Sequence, residues 1–459
     1  MTVWYPMLVL AIGLIIVVGG IIVLRMHAFL SLITAAIVVS LLAPGDWSDK
    51  IPRVAEAFGQ TAAGIAIIIA LAAIIGMAMA ASGAADRVVR IFLGIFGQQR
   101  GATALSASGF TLAIPVFFDT VFFLLMPLVR SMYLRTGKHY LKYLMAAATC
   151  ATAHALVPPT PGPLLAAETL GIEVGTMMLA GIAVGVPAAL AGLMFASWSD
   201  RSLPIAAPAG LQHSRDIPSQ DNRPLPGAFV SLAPILLPVA LITCSTVISA
   251  FGSASQGMAG DALTPMQLID LLGNPNIALL LSACIALLTY WRHCRPDAHA
   301  LSEGIGDALM TAGVIILITC AGGAFGATLK MAQLAPAIQS LAGEGAAGGL
   351  GFLLLGFGMT ALIKFAQGSS TAAIIVTSAM LAAMIDTTHL GFHPVYVATA
   401  IGSGSLVGSW MNDSGFWIFA KMGGLTEVET LRTWTPLLAL MGCVAMCMTL
   451  LLAVLFPMV

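Results

Sequence analysis

The chain has 459 residues, of which 59% are hydrophobic and only 8% charged, and its mean hydropathy is +0.98. A soluble domain carries about 25% charged residues, so a water-solvated globule is excluded, and a net charge of −1 gives nucleic acid no basic footprint. Six of the seven cysteines lie in apolar segments without a CxxC spacing, a pattern that is neither a disulfide framework nor a metal centre, and no metal or other cofactor is expected.

A bilayer core takes about 20 apolar residues per helix. In chain order, Val3–Leu24, Ala62–Ser82, Val174–Trp198, Phe229–Phe251, Gly306–Leu329 and Trp434–Phe456 meet that length, and the shorter His27–Ala43 and Ile277–Trp291 also read as spans. The first run lacks a basic leader and a small-residue cleavage site, and so reads as a retained span. The longest polar stretch, residues 199–227, is rich in Pro, Ser and Arg and reads as a cytoplasmic linker.

Fifteen of the 19 Lys and Arg residues fall in alternate loops, with only Lys50, Arg53 and Lys330 in the complementary ones. Basic loops stay in the cytoplasm, which places both termini outside. The alternation closes if residues 101–134 enter and leave on the cytoplasmic side and residues 346–390 on the outer side. Both are long enough to be pairs of full spans, but polar and helix-breaking midpoints favour re-entrant hairpins. The expected fold is an all-α integral membrane protein with about ten crossings, two re-entrant hairpins and two discontinuous helices.

The halves resemble each other. Gly59 to Gly76 parallels Gly306 to Gly323, and Gly162 and Gly171 parallel Gly415 and Gly424. The chain divides into a first half at 1–198 (hairpin 101–134, broken helix 141–170), the linker, and a second half at 228–459 (hairpin 346–390, broken helix 394–420). Five crossings per half make the second copy inverted, an architecture that places a transport site near the midplane.

Helix breaks at membrane depth are tolerated only where they line a cavity. Four occur, at 114–120, 154–163, 364–371 and 410–416. In each, a helix is expected to restart on a favourable residue: Asp119, Pro161 or Pro163, Ser369, and Asn412 or Asp413. Helix N-termini carry about +0.5 charge and unpaired N–H donors, so four aimed at one cavity suit a small anionic substrate. The candidate substrate residues are Thr160, Gly162, Gln367, Gly368, Ser369, Ser370, Thr371, Asn412, Asp413 and Ser414. Lys364 is either a further anion contact or the ion-pair partner of a neighbouring carboxylate. Asp119 and His154 are the candidate titrating groups, since a charge at the bilayer centre costs about 3 kcal/mol and marks function. Phe117, Phe118, Phe122 and Phe123 read as packing. No zinc helix, nucleophile elbow or Walker loop is present, so no enzyme activity is expected. A channel, the permease subunit of an ATP-driven pump, and an intramembrane enzyme built on Asp119 and Asp413 are the lesser alternatives to a secondary transporter.

The motifs Ile-Pro-Val-Phe-Phe-Asp at 114–119, His-Ala-Leu-Val-Pro-Pro-Thr-Pro-Gly-Pro at 154–163, Gly-Ser-Gly-Ser-Leu at 402–406 and Asn-Asp-Ser-Gly-Phe-Trp at 412–417 resemble the gluconate permease (GntP) family of the ion transporter superfamily. The segment 424–434 extends the resemblance, which covers essentially the whole chain. It implies proton-coupled uptake of gluconate or a related sugar acid across the bacterial inner membrane, an elevator motion, and a homodimer with the early spans of each half as scaffold. Some members carry other small acids, including an amino acid. Gluconate-type members often place a second His where this chain has Thr160. Sodium coupling stays open on the residues alone, because hydroxyl and carbonyl oxygens at 367–371 and 412–414 are of the kind a sodium cage uses.

Overall fold

A computed structural model describes residues 4–203, 205, 207–208, 225–251, 265–332, 349–385, 390–411 and 413–458. Among them there are helices and no strands. The α-helices run in chain order as α1 (Trp4–Ile22), α2 (Ala28–Leu42), α3 (Pro52–Ser82), α4 (Ala84–Phe96), α5 (Gly101–Leu112), α6 (Phe118–Thr136), α7 (Tyr140–Ala148), α8 (Ala151–Leu156), α9 (Pro161–Leu170) and α10 (Val174–Ser202). They continue as α11 (Ala228–Phe251), α12 (Pro265–Gly273), α13 (Pro275–Cys294), α14 (Ala298–Met331), α15 (Leu350–Gln367), α16 (Ser370–Met384), α17 (Val395–Gly404), α18 (Ser414–Gly423) and α19 (Glu427–Leu455).

Six of these, within α3, α10, α11, α13, α14 and α19, are long and apolar enough to cross a membrane. Their ends carry ordinary stop and start chemistry. Pro52 opens α3 at its first turn and Gly83, at φ 75°, closes it. Asp297 caps α14 by accepting from Ala300 N–H at 2.7 Å. Thr426 and Glu429 form a reciprocal capping box at the start of α19. Large apolar side chains remain bare on the outside, among them Met194 at 74% exposure and Leu362 at 70%. Such a surface fits lipid and not water.

Three pairs of helices recur at a near-constant spacing between the two halves. α9 and α18 each have ten residues and start 253 positions apart; α10 and α19 each have 29 and start at the same offset. α6 and α16 begin 252 positions apart.

The interior is assembled by close helix crossings. α14 presents Gly322 and Gly326 to Ile375 and Ala379 of α16, where any Cβ would stand 2.0 and 2.9 Å from its neighbour. Small residues permit such approaches in lipid, where packing and not water exclusion holds helices together. α8 is held between two more glycines. A Cβ on Gly181 of α10 would meet the Leu156 carbonyl oxygen at 2.2 Å, and one on Gly402 of α17 would meet that of Ala155 at 2.6 Å. His154 rides on this pinned helix.

Candidate functional site

The helices are interrupted at each of the four places the sequence marks. α5 ends at Leu112 and α6 starts at Phe118; α8 ends at Leu156 and α9 starts at Pro161. α15 ends at Gln367 and α16 starts at Ser370, while α17 ends at Gly404 and α18 starts at Ser414. A further interruption, at Thr149 and Cys150 between α7 and α8, had no marker in the sequence.

The restarts are not equivalent. Ser369 caps α16 by accepting from Ala372 N–H at 3.2 Å, and Asp413 caps α18 by accepting from Gly415 N–H at 3.0 Å. Thr160 and Phe117 stand at the other two cap positions and give no side-chain cap. Asp119 therefore is not the residue that opens α6, as the sequence suggests. The extended backbone at Phe117 (φ −62°, ψ 146°) follows Pro115 and Val116 and sets the start one residue earlier, with Asp119 in the first turn. The Asp119 carboxylate is thereby left to the space in front of the helix.

That space is a cavity of about 280 Å³, near the lower end of the roughly 300–1,000 Å³ usual for ligand pockets. Its walls bring together Asp119, His154, Ser369, Ser370, Thr371, Asp413 and Ser414, so residues from all four breaks meet. Phe117, Phe118, Thr120, Pro161, Leu406, Trp434 and Leu438 complete much of the lining, with Thr311 and Ile315 contributed by the unbroken α14.

Several expected residues stand behind the wall. Thr160 is buried and turns its hydroxyl back to the Val157 carbonyl at 2.6 Å. Gly162 lets α9 close on α16, since a Cβ there would lie 2.8 Å from Ile374 Cδ1. Gly368, at φ 86°, ends α15 in the left-handed conformation that glycine adopts without strain. Asn412 and the side chain of Gln367 lie outside the described residues.

Lys364 is 1% exposed and forms a buried ion pair, its Nζ lying 2.6 Å from Asp413 Oδ2 and donating also to the Gly368 carbonyl at 2.5 Å. The Ser409 hydroxyl donates to the same Asp413 oxygen, and Trp434 Nε1 donates to Ser409 Oγ at 2.6 Å. This chain of bonds joins break three to break four and both to α19. Ser370 adds a bond from its hydroxyl to the Ser405 carbonyl at 2.9 Å. Buried polar networks of this kind hold a site in one geometry.

Asp119 differs. Among the described residues it has no ion-pair partner, and the nearby charge that acts on it is another carboxylate, Asp413. His154 Nδ1 is buried without a hydrogen-bond partner among the described residues, and its ring stands edge-on to Phe117 at 6.3 Å. A second cavity, about 260 Å³, adjoins the first and shares Phe117, Thr120 and Thr311 with it. Gly76 and Met77 of α3 and Gly304 and Asp307 of α14 line this outer chamber.

Sequence reasoning missed the contribution of α14 and α19. Trp434 and Leu438 sit in an apolar run with nothing to set them apart. Gly304, Asp307 and Thr311 do recur on one helical face, a polar stripe on an otherwise apolar helix.

Interrupted helices that converge on a polar cavity inside a lipid-compatible body define a membrane transporter. In fold the chain is similar to the solved structure of the YdaH transporter of Alcanivorax borkumensis, with a TM-score of 0.63 at 14% identity, covering 94% of this chain and 98% of that one. The GntP family permease model matches residues 5–455, and the chain belongs to that family. It is 32% identical to a gluconate permease of Pseudomonas aeruginosa, over 97% of this chain and 96% of the relative. It is 30% identical to a low-affinity gluconate transporter of Escherichia coli K12, over 92% of each. The protein is thus a multi-pass membrane permease and not an enzyme.

Proposed function

We propose that this permease is a secondary symporter that carries gluconate, or a closely related small hydroxy-carboxylate, into the cytoplasm together with a proton. The observation that carries the reading is the charge balance of the cavity. Lys364 neutralises Asp413, which leaves Asp119 as the cavity-lining carboxylate without a counter-ion among the described residues. An anion entering beside a second unpaired anion is opposed in a low-dielectric site. Protonation of Asp119 removes that opposition, so substrate and proton bind together. The uncapped start of α6 offers its N–H groups to the substrate carboxylate, and the hydroxyls of Ser369, Thr371 and Ser414 face the substrate's own. His154, edge-on to Phe117, is the candidate partner in moving the proton.

In this reading the matched layouts of the two halves are an inverted repeat, 1–198 and 228–459, joined by a cytoplasmic linker at 199–227. The hairpins and broken helices move as an elevator against a dimeric scaffold that includes α3 and α14, and both termini are periplasmic. The outer chamber lies toward the end of α14 that follows Arg292 and Arg295, the loop assigned to the cytoplasm, so this arrangement is the inward-facing one.

The test is uptake by purified protein in proteoliposomes. Gluconate accumulation driven by an inward proton gradient, and abolished by a protonophore, is expected. Accumulation that follows a sodium gradient at constant pH refutes proton coupling.

A further inference from the structure

An anion that reaches the substrate cavity through the outer chamber meets no lysine or arginine on the walls of either, among the described residues. Lys364 stands behind the inner wall at 1% exposure, its ammonium spent on Asp413 and the Gly368 carbonyl. The outer chamber has one charged lining residue, and it is acidic: Asp307 of α14. The chamber walls from α3 and from the first break are uncharged. One turn earlier on α14, Glu303 is paired with His299 at 3.7 Å, whereas Asp307 has no ion-pair partner among the described residues. Asp307 is exposed, and it lies four residues before Thr311, the α14 residue common to both cavities. Side chains four apart share a helix face, with about 5–6 Å between their Cβ atoms. The carboxylate therefore stands one turn from the junction through which substrate passes.

We propose that Asp307 is a charge filter at the cytoplasmic mouth, admitting singly charged acids to the inward-facing cavity and turning away doubly charged ones. The inference rests on the anion-carrier reading and says which anions the cavity accepts from the cytoplasm. Coulomb energy is linear in charge, so a carboxylate that lowers the occupancy of a mono-anion by some factor lowers that of a dianion at the same place by the square of it. Nothing further in offsets the second charge. The start of α6 answers one carboxylate, and Asp119 is neutral at best. Because α14 belongs to the scaffold in this reading, Asp307 stays on the cytoplasmic side while the cavity moves, and the discrimination acts on that side alone. The inward-facing cavity is thereby kept free of the multivalent organic anions of the cytoplasm, and remains open to release its own substrate.

The experiment is exchange of labelled gluconate in inside-out membrane vesicles carrying the full-length protein, at equal neutral pH on both sides and low ionic strength. Unlabelled gluconate, or glucarate, its six-carbon diacid counterpart, competes from the cytoplasmic face. In wild type glucarate is expected to compete far more weakly than gluconate. Asp307→Asn is expected to lower the inhibition constant about threefold for gluconate and about ninefold for glucarate, the threefold step being one unit-charge interaction across about 6 Å of water. Asp307→Glu keeps the charge and should keep the wild-type constants. With competitors on the periplasmic face of right-side-out vesicles, Asp307→Asn is expected to change neither constant. Equal fold-changes for the two acids, or none, overturn the filter, as does the same shift seen from the periplasmic face. Where Asp307→Asn yields no folded protein, wild type decides through salt, which screens exposed charges. A glucarate-to-gluconate ratio of inhibition constants that falls as ionic strength rises supports the filter, and a constant ratio overturns it. Failure of unlabelled gluconate to compete in wild type refutes the anion-carrier reading and the filter with it. Unequal pH plays no part in the exchange, so refutation of proton coupling leaves the filter standing.

Discussion

Under the proposed proton symport, charge counting around Asp119 sets how this permease should respond to the two components of a proton-motive force. Lys364 and Asp413 sum to zero and stay with the protein. A monovalent sugar acid that enters with one proton on Asp119 then moves no net charge. Its accumulation should follow the pH gradient, tenfold or about 1.36 kcal/mol for each pH unit, and ignore the membrane potential. Asp119→Asn mimics the protonated side chain permanently, so the variant should carry the anion alone. At 100 mV, inside negative, a single negative charge is opposed by about 2.3 kcal/mol, which excludes the substrate roughly 50-fold where wild type accumulates it. Exchange of labelled for unlabelled gluconate should survive, because it needs no net proton movement. The assay is uptake into proteoliposomes with pH and potential set independently by buffers and a potassium ionophore. Wild-type plateaus that scale with potential at fixed pH would refute the charge count. So would tenfold accumulation by Asp119→Asn on a one-unit pH gradient.

Other substitutions test the parts separately. Gly181→Ala places a methyl 2.2 Å from the Leu156 carbonyl oxygen; overpacking of this kind costs about 1–3 kcal/mol, so a lower melting temperature and slower uptake are expected, and wild-type values for both would show that α8 is not pinned. Trp434→Phe removes the bond that orients Ser409 on Asp413, a loss of about 1 kcal/mol; a several-fold rise in KM with unchanged expression is the expected readout. Thr311→Ala strips a hydroxyl from the junction of the two chambers and should raise KM with little change in stability, whereas unaltered kinetics would remove α14 from the substrate path. A cysteine introduced at the exposed Gly137 should react with an impermeant reagent from the cytoplasmic side only.

Much of the site was legible because lipid makes irregular backbone conspicuous. Pro115, the prolines at 158–163, the Ser-Ser-Thr run at 369–371 and the acids 119 and 413 have no ordinary place in an apolar helix, and of these Asp119, Pro161, Ser369, Ser370, Thr371 and Asp413 line one cavity with the neighbouring candidates His154 and Ser414. The pairing of Lys364 was open on the sequence because an anion contact and a counter-ion demand the same residue; only the position of Asp413, 49 residues away, separates them. The walls from α14 and α19 were illegible for a different reason. Thr311 and Trp434 sit in continuous helices whose composition serves a lipid-facing span equally well, and which side of a helix faces the cavity is set by tertiary packing. Thr160 shows the reverse error of emphasis, since a hydroxyl at a break can spend itself on the local backbone, as this one does.

The coincident element boundaries of the two halves have a consequence for reading any variant of this chain. At the α9–α18 offset of 253 residues Thr160 aligns with Asp413, and at the α6–α16 offset of 252 Leu112 aligns with Lys364. On the inverted-repeat reading each half is an internal control for the other: one would show the layout with a fixed pair of opposite charges, the other with a hydroxyl and an aliphatic side chain. In the proposed inverted repeat several helix boundaries would be kept while the electrostatics differ, and Asp119 would be the acid left to answer to the pH on either side of the membrane.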